Sequence, residues 1–530
     1  MVYQLPFRSR PSYGFRARRN RRVDRRGQEP LGPPPSSSAR AHAKKNSSSI
    51  LSAFQQLWRE CRPAFGQQRL ADRAQALGLS SLLCLGRHTL TGLLTTCGRE
   101  FQDWSAEYRL FSRHRFPTAE VFSVVRRGVL AELPPQAPLC VALDDSLLRK
   151  TGLHIPGSAW RRDPLGPPFQ TNFVRAQRVL QLSASVPLAN GAYRMVPIAF
   201  LPAPTPPKPS SKASAQEVQA YRQAARQARL PVRAAQQIAS LRQALDAEPH
   251  GAQRGLLLSV DGGYTNGTVM KKLPPRTTLV GRIRQDAKLY FLPAAPAAPA
   301  APPRGRPRQY GALAPTPEQL RRDDSVPWTS VEVSISGAPQ AMRVKRLSNL
   351  LWRVAGLQHT LQLVVIAPLG YRLRKNSKRL YRRPAFLICT DPQLDLHTLV
   401  QAYVQRWDIE VNFREEKTLL GVGQAQVRHA DSVEAVPALQ VASYAMLLLA
   451  TLRAFQGPAK PDVLPPPKWA VDTVSRRFST PRAINQLRAE VWGRALGLAN
   501  LSGFASRPTP TTKPEKFLPD LPSALLYAIN

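Results

Sequence analysis

Acidic residues are scarce in this 530-residue chain. Its 34 Asp and Glu stand against 75 Lys and Arg, a net charge of +41 and a pI near 11.2. So one-sided a balance argues against an ordinary small-metabolite enzyme and for a polyanionic partner, of which nucleic acid is the commonest. Cysteine is sparse too. Cys61, Cys84, Cys97, Cys140 and Cys389 lie far apart with no C-x-x-C pair, which argues against a disulfide framework or a structural zinc site and fits a reducing cytosol. The eight histidines form no metal-ligand motif. No apolar run follows the Arg-rich N-terminus, so no secretory leader is expected. One uncharged run, the 18 residues from Ala435 to Leu452, reaches the lower limit for a membrane span. It contains Pro437, Gln440, Ser443 and Thr451, and reads as the buried helix of a large domain; no membrane partner is expected.

Hydrophobic residues make up 43% of the chain, too many for a disordered basic tail, while 51 prolines require long stretches of loop or linker. Residues 1–49 read as a disordered basic arm, with nine arginines among the first 30 residues. The arm is either a binder of DNA phosphates or an extended translation start with no role. Residues 50–135 show helical spacing at Leu51, Phe54, Leu57 and Trp58, then from Leu82 to Leu94 and from Ala119 to Leu133. This helical module is a DNA-binding domain or a packing domain; periodicity does not separate the two.

From residue 136 the pattern turns to strands. Pro138 to Leu143 is an apolar run ending in Asp144-Asp145. Val179–Val186 and Ala192–Leu201 follow, joined by an Asn190-Gly191 turn. A helical stretch from Ala213 to Ala247, broken near Pro231, leads to the apolar Leu256–Val260 and then Asp261-Gly262-Gly263. Thr278–Arg284 is a further strand. This order predicts an α/β (α+β) RNase H-like domain in which the first and fourth strands are neighbours and carry their carboxylates to one edge. Its first part spans residues 136–292. Residues 293–384 hold a Pro-rich linker and a β-rich insertion, residues 385–424 return to the catalytic domain with a strand at Phe386–Thr390 and a helix, and residues 425–530 form a C-terminal helical region.

That helix is expected from about Leu396 to Leu420, stopped by Gly421 and Gly423. At ~100° per residue, Tyr403, Arg406, Glu410 and Lys417 fall within an arc of about 60°, and Arg414 lies beside them. A carboxylate among a hydroxyl and cations suits a metal-bound phosphodiester: the acid holds the ion, and the others hold phosphate oxygens. A solvated face with an Arg406–Glu410 ion pair is the plainer alternative. Glu415 and Glu416 point elsewhere on the wheel, so their alanine variants are expected to cleave almost normally.

The spacing Tyr-x2-Arg-x3-Glu-x6-Lys from Tyr403 resembles the signature of DDE-class insertion-sequence transposases. So do Gln405 to Glu410, Asp144-Asp145-Ser146 at a strand end, Val260-Asp261-Gly262, Arg149 to Gly152, Arg162-Asp163-Pro164 and Gly305 to Arg308. The resemblance covers roughly residues 80–430. It implies a catalytic set of Asp144 or Asp145 with Asp261 and Glu410, the long interval before Glu410 being filled by an inserted β-domain. It implies two Mg²⁺ ions, or Mn²⁺ in their place, held by Asp144, Asp261 and Glu410. It also implies cleavage and joining of double-stranded DNA at the terminal repeats of the element and in the target, by a homodimer in a synaptic complex. A cytoplasmic, nucleoid-associated location follows. Asp144 fits a D-x-[ST] pattern and Asp145 a D-[ST] pattern. Alternation turns them to opposite faces; Asp144 is the preferred ligand.

Phosphate contacts are expected from Tyr403, Arg406, Arg414 and Lys417. The basic run from Arg372 to Arg383, including Lys375 and Arg379, is a phosphate-contacting loop or a solvated one. Arg304 and Arg306 in Pro-Arg-Gly-Arg-Pro fit an AT-hook core reaching into a minor groove, or a basic hinge. Lys271 and Lys272 approach the DNA or are ordinary surface lysines, and Trp407 is core packing or a stacking wedge. Competing functions are a stand-alone RNase H-like nuclease and a DNA-binding protein on a dead catalytic scaffold.

Overall fold

The computed structural model describes residues 49–163, 166–167, 169–188, 191–249, 251–293, 308–372, 376–456, 462–468, 479–506 and 520–528. The basic arm up to residue 48, the Arg304–Arg306 motif and Lys375 lie outside these.

Five helices come first: α1 (Ile50–Cys61), α2 (Gln68–Leu83), α3 (Leu90–Thr96), α4 (Ser105–Ser112) and α5 (Thr118–Ala131). Ser49 and Ser52 close a reciprocal capping box at the start of α1, and Ile50, Phe54, Leu57, Trp58 and Cys61 form its buried stripe. The single helical stretch expected from Leu82 to Leu94 is instead two helices. The chain leaves α2 at Cys84, and the Thr89 side chain accepts a hydrogen bond from the Gly92 amide to start α3 anew.

The strands are β1 (Leu139–Arg149), β2 (Ala159–Arg162), β3 (Phe173–Pro187) and β4 (Tyr193–Pro202). After α6 (Ala215–Gln227) and α7 (Leu230–Asp246) come β5 (Leu256–Val260), the short α8 (Gly267–Met270) and β6 (Thr277–Arg282). The order β4-β3-β1-β5-β6, antiparallel from β4 to β1 and parallel from β1 to β6, is the RNase H-like sheet. β1 runs past the expected end at Asp145 because β3 goes on pairing with it to Arg149.

The later strands do not form a separate sheet. After β7 (Tyr290–Phe291) and α9 (Pro317–Arg322) come β8 (Thr329–Ile335), β9 (Ala338–Trp352), β10 (Gly356–Ile366), the small β11 (Gly370–Tyr371) and β12 (Leu380–Tyr381) pair, and β13 (Ala385–Cys389). β13 lies antiparallel to β6, and β10, β9 and β8 add beyond it, so the insertion lengthens the same sheet.

α10 (Leu396–Gln405), α11 (Asp408–Thr418), α12 (Ala430–Gln456), α13 (Thr480–Trp492) and α14 (Leu521–Leu526) complete the order. The apolar run from Ala435 to Leu452 lies inside α12, almost wholly buried. It packs against α1, α2, α4, α5 and β4, so the N-terminal helices and the sheet share its core.

The one continuous helix expected over residues 396–420 is broken. Between Val404 and Glu410 the backbone amides of Trp407, Ile409 and Glu410 bond three residues back, to Val404, Arg406 and Trp407. The tighter turn re-aims α11 relative to α10, so the wheel angle of Tyr403 on α10 does not carry over to Glu410 and Lys417 on α11. Glu415 and Glu416 are not on a solvent face either. Glu415 receives the Arg194 guanidinium and the hydroxyls of Tyr444 and Thr480. Glu416 receives Gln181 Nε2 at 3.0 Å. Asn412 donates to the Met195 carbonyl at 3.1 Å and to Tyr444 Oη at 3.0 Å. Three polar residues of α11 are thus buried and partnered on β3, β4, α12 and the start of α13.

Glu415→Ala would strand the buried Arg194 charge, a loss of about 3–5 kcal/mol. The expected result of thermal and urea unfolding is a strongly destabilised protein, in place of the near-normal variant that the helical wheel implies. Unchanged melting would show that the network does not hold α11.

Candidate active site

The parallel register sets the level of the site. Leu143 of β1 pairs with Val260, the last residue of β5. Asp144 and Asp261 are the next residues on the two chains, so they lie side by side where β5 ends. Gly262, Gly263 and Tyr264 then turn away: Asp261 Oδ1 accepts from the Gly263 amide at 2.8 Å and the Tyr264 amide at 3.3 Å. This Asx-type turn orients the carboxylate. α11 crosses the face of β1 that carries Asp144 and Ser146, and Lys417 Nζ donates to Ser146 Oγ at 2.6 Å.

Asp144 and Asp145 separate as strand alternation requires. Asp144 Oδ1 accepts from the Asp145 amide at 2.8 Å, and its Oδ2 lies 3.6 Å from Arg406. Arg406 also reaches Glu410 Oε1 at 3.3 Å, so one guanidinium links the β1 and α11 carboxylates. Asp145 faces the other side, where Tyr264 donates its hydroxyl at 2.6 Å and Arg178 lies 3.3 Å away.

Burial, then the Asp261 charge, pushes Asp144 up to about 7; Arg406 opposes the rise. Glu410 is raised as well, first by burial, against Arg406, with Asp261 adding to the rise. The Asp261 charge thus works against the ionised form of both Asp144 and Glu410. An all-oxygen carboxylate set of this kind fits a hard divalent cation such as Mg²⁺ or Mn²⁺. Among the described residues no three His, Cys, Asp or Glu side chains converge closely enough to enclose an ion as they stand. Arg406 supplies the counter-charge between Asp144 and Glu410.

The expected basic partners divide. Arg406 is 7% exposed and faces the carboxylates. Lys417 is half-buried against Ser146, with its charge over the Phe413 ring. Tyr403 is half-buried against the core beneath the insertion. Arg414 and Arg379 are exposed, Arg379 over the Tyr381 ring on the small β11–β12 pair. Sequence reasoning missed Tyr264 and Arg178, which hold Asp145, and the Arg194–Glu415–Tyr444 network behind Glu410. The one sequence signal for Tyr264 was its place in the turn after Asp261; nothing local marks a residue whose hydroxyl reaches a neighbouring strand.

No curated protein matches the chain over its length or any part of it. A family model described as DDE superfamily endonuclease matches residues 60–358. That span takes in α2 to α5, Asp144 and Asp261, and stops short of α11, so Glu410 joins the site on geometry alone. The matched stretch is more than half of the 530 residues, and it folds into the RNase H-like sheet whose edge holds the two aspartates: the chain belongs to the DDE superfamily endonucleases.

Proposed function

We propose that this endonuclease is the transposase of an insertion sequence: it binds the element's terminal repeats, cuts phosphodiester bonds there and transfers the strands to target DNA. The observation that carries the reading is the register that sets Asp144 level with Asp261 beneath the Glu410 helix. Asp144, Asp261 and Glu410 hold the cations, and Asp145, fastened by Tyr264 and Arg178, keeps the strand end in place. Two Mg²⁺ ions, or Mn²⁺, would supply activation of the attacking oxygen and stabilisation of the leaving one. Arg406 keeps Asp144 and Glu410 apart in charge until the ions are bound. Arg414 on α11 and Arg379 on the β11–β12 pair meet phosphates, with Arg304, Arg306 and Lys375 assigned the same role from sequence. The active species is a homodimer that pairs two element ends, in the cytoplasm on the nucleoid.

A strand-transfer assay with labelled element ends tests the reading. Joined product identifies a transposase, cutting without joining a stand-alone nuclease, and shifted but intact DNA a binding protein. Asp144→Asn, Asp261→Asn and Glu410→Gln should each leave less than about a tenth of wild-type cleavage in Mg²⁺, a barrier rise above ~1.4 kcal/mol; Asp145→Asn should be milder. A variant of the first three that cleaves at more than that level removes its residue from the ligand set.

The burial of Arg406 changes what salt should reveal. Arg414→Ala should lower the slope of log affinity against log salt by about one unit, for one lost phosphate contact. Arg406→Ala should leave that slope unchanged while impairing cleavage. Equal slopes for Arg414→Ala and wild type would remove Arg414 from the interface.

Acidity gives a separate test. The Asp144 carboxyl binds its proton more tightly folded than unfolded, so its contribution to stability is complete below about pH 4 and is lost as pH rises through about 7. A divalent ion must displace that proton. Mg²⁺ affinity should therefore climb with pH up to about 7 and then level off, and Asp144→Asn should abolish the climb. Calorimetric titrations at several pH values check this; a flat wild-type profile would contradict the assignment.

A further inference from the structure

The sheet does not stop at the catalytic edge. β1 and β3 run on together to the Arg149–Ala176 pair, and on the opposite edge of β3, β2 pairs Ala159 with Ala176, Trp160 with Arg175 and Arg162 with Phe173. The result is a β2–β3 ribbon standing beyond the carboxylates. Paired residues share a face and alternate ones return to it. Asp144 pairs with Gln181, so that face continues along β3 through Val179, Gln177, Arg175 and Phe173 and crosses to Trp160 and Arg162. It is the face that α11 covers lower down, where Lys417 meets Ser146 and Glu416 meets Gln181. On the ribbon nothing in the described fold covers the rings: Trp160 is 66% and Phe173 57% exposed. Each ring stands directly across from an arginine.

We propose that this ribbon face is a stacking surface for unpaired DNA bases flanking the cut, an inference that rests on the function proposed above. Two exposed rings in an arginine setting match a partner that is both flat and anionic. A paired base buries its faces in the duplex stack, whereas an unpaired one offers them, and stacking on an aromatic ring tolerates any base. Charge selects the same partner: Arg162 and Arg175 alternate with the rings, in a chain of net charge +41. The location fits as well. Six residues of strand separate Gln181, level with Asp144, from Arg175, a distance of about 20 Å, or roughly six nucleotides at duplex spacing. Gln181, Val179 and Gln177 on the intervening face are buried, so a strand end released or frayed at the carboxylates would reach the ribbon by passing over the outer surface above them.

The test measures binding of the full-length protein by fluorescence anisotropy to a labelled single-stranded oligodeoxynucleotide and to an abasic oligonucleotide of equal length. Trp160→Ala should weaken binding to the base-bearing strand about 5- to 100-fold. It should leave abasic binding and the salt slope unchanged. Trp160→Phe should recover most of the loss. Arg162→Ala should do the reverse, lowering the slope on both oligonucleotides by about 0.7. Phe173→Ala, on the other strand, repeats the ring test should Trp160→Ala melt early. Three results would overturn the proposal: undiminished binding by both ring variants, equal losses on the base-bearing and abasic strands, or a change in sedimentation with no change in DNA affinity, which would make the face a contact between two copies of the chain. Metal-dependent cleavage of duplex ends by the wild type, run in parallel, separates the two failures. Cleavage with neutral ring variants sinks the ribbon proposal alone, and absence of cleavage sinks the reading on which it rests.

Discussion

The crowding of the Asp144 and Glu410 carboxyls about the Asp261 charge is the constraint to which the surrounding structure answers. Each is pulled toward the others by a separate piece of backbone: β1, the turn after β5, and α11. Burial and like charge then raise the proton affinity of Asp144 and Glu410. Left alone, such a set would relax by moving apart or by taking up protons. Arg406 counters this by lying within ion-pair distance of Asp144 and Glu410 at once, and it is itself buried, so its charge is not diluted by water.

That crowding also demands that α11 be held from behind. An amphipathic helix with one apolar stripe could slide or roll. α11 instead buries Asn412, Glu415 and Glu416, each with a partner of fixed direction on β3, β4, α12 or the start of α13. Burial works to raise the Glu415 carboxyl, but Arg194 and the hydroxyls of Thr480 and Tyr444 outweigh it and hold the group ionised, below its ordinary range. Burial pushes Glu416 the other way, up to about 8, against the Gln181 amide and the Lys417 charge. Hydrogen bonds that leave no alternative rotation set the side of α11 on which Glu410 emerges. The long apolar α12 supplies the wall from which Tyr444 reaches in.

The strands were legible in the sequence because apolar runs of five to ten residues bounded by turn signals have few other readings, and their order was enough to place β1 beside β5. The two aspartates were legible because they end such runs. The break at Arg406–Trp407 was not, since both residues keep helical dihedrals and no proline or glycine marks the place. A wheel at constant angle passes through the bend and sets Tyr403 on the Glu410 face, whereas Glu415 and Glu416, in α11 with Glu410, lie off that face on the wheel with no partner that local sequence could name. Tertiary partners decided their fate, and Arg194, Tyr444 and Thr480 are 221, 29 and 65 residues away from Glu415 in the chain. The same blindness hid the fastening of Asp145 by Tyr264, 119 residues distant. Where the insertion would join was equally hidden, because a strand at the edge of one sheet and a strand extending another have the same composition.

The chain's imbalance of charge and its acidic edge are two halves of one arrangement. A surface with a net charge of +41 draws a polyanion from a distance, yet the edge where cutting is proposed carries the carboxylates. A phosphodiester brought there adds a further negative group to an edge that is already acidic. Arg406 cannot satisfy all of them, being the counter-charge of Asp144 and Glu410. In the proposed function divalent cations from solution would make that contact favourable, and the Asp144 carboxyl, pushed up to about 7 by burial and the Asp261 charge, would give up its proton to them. Under the proposed function the scarcity of acid elsewhere would attract the DNA, and its concentration at one sheet edge would keep the encounter unproductive until a divalent ion is present.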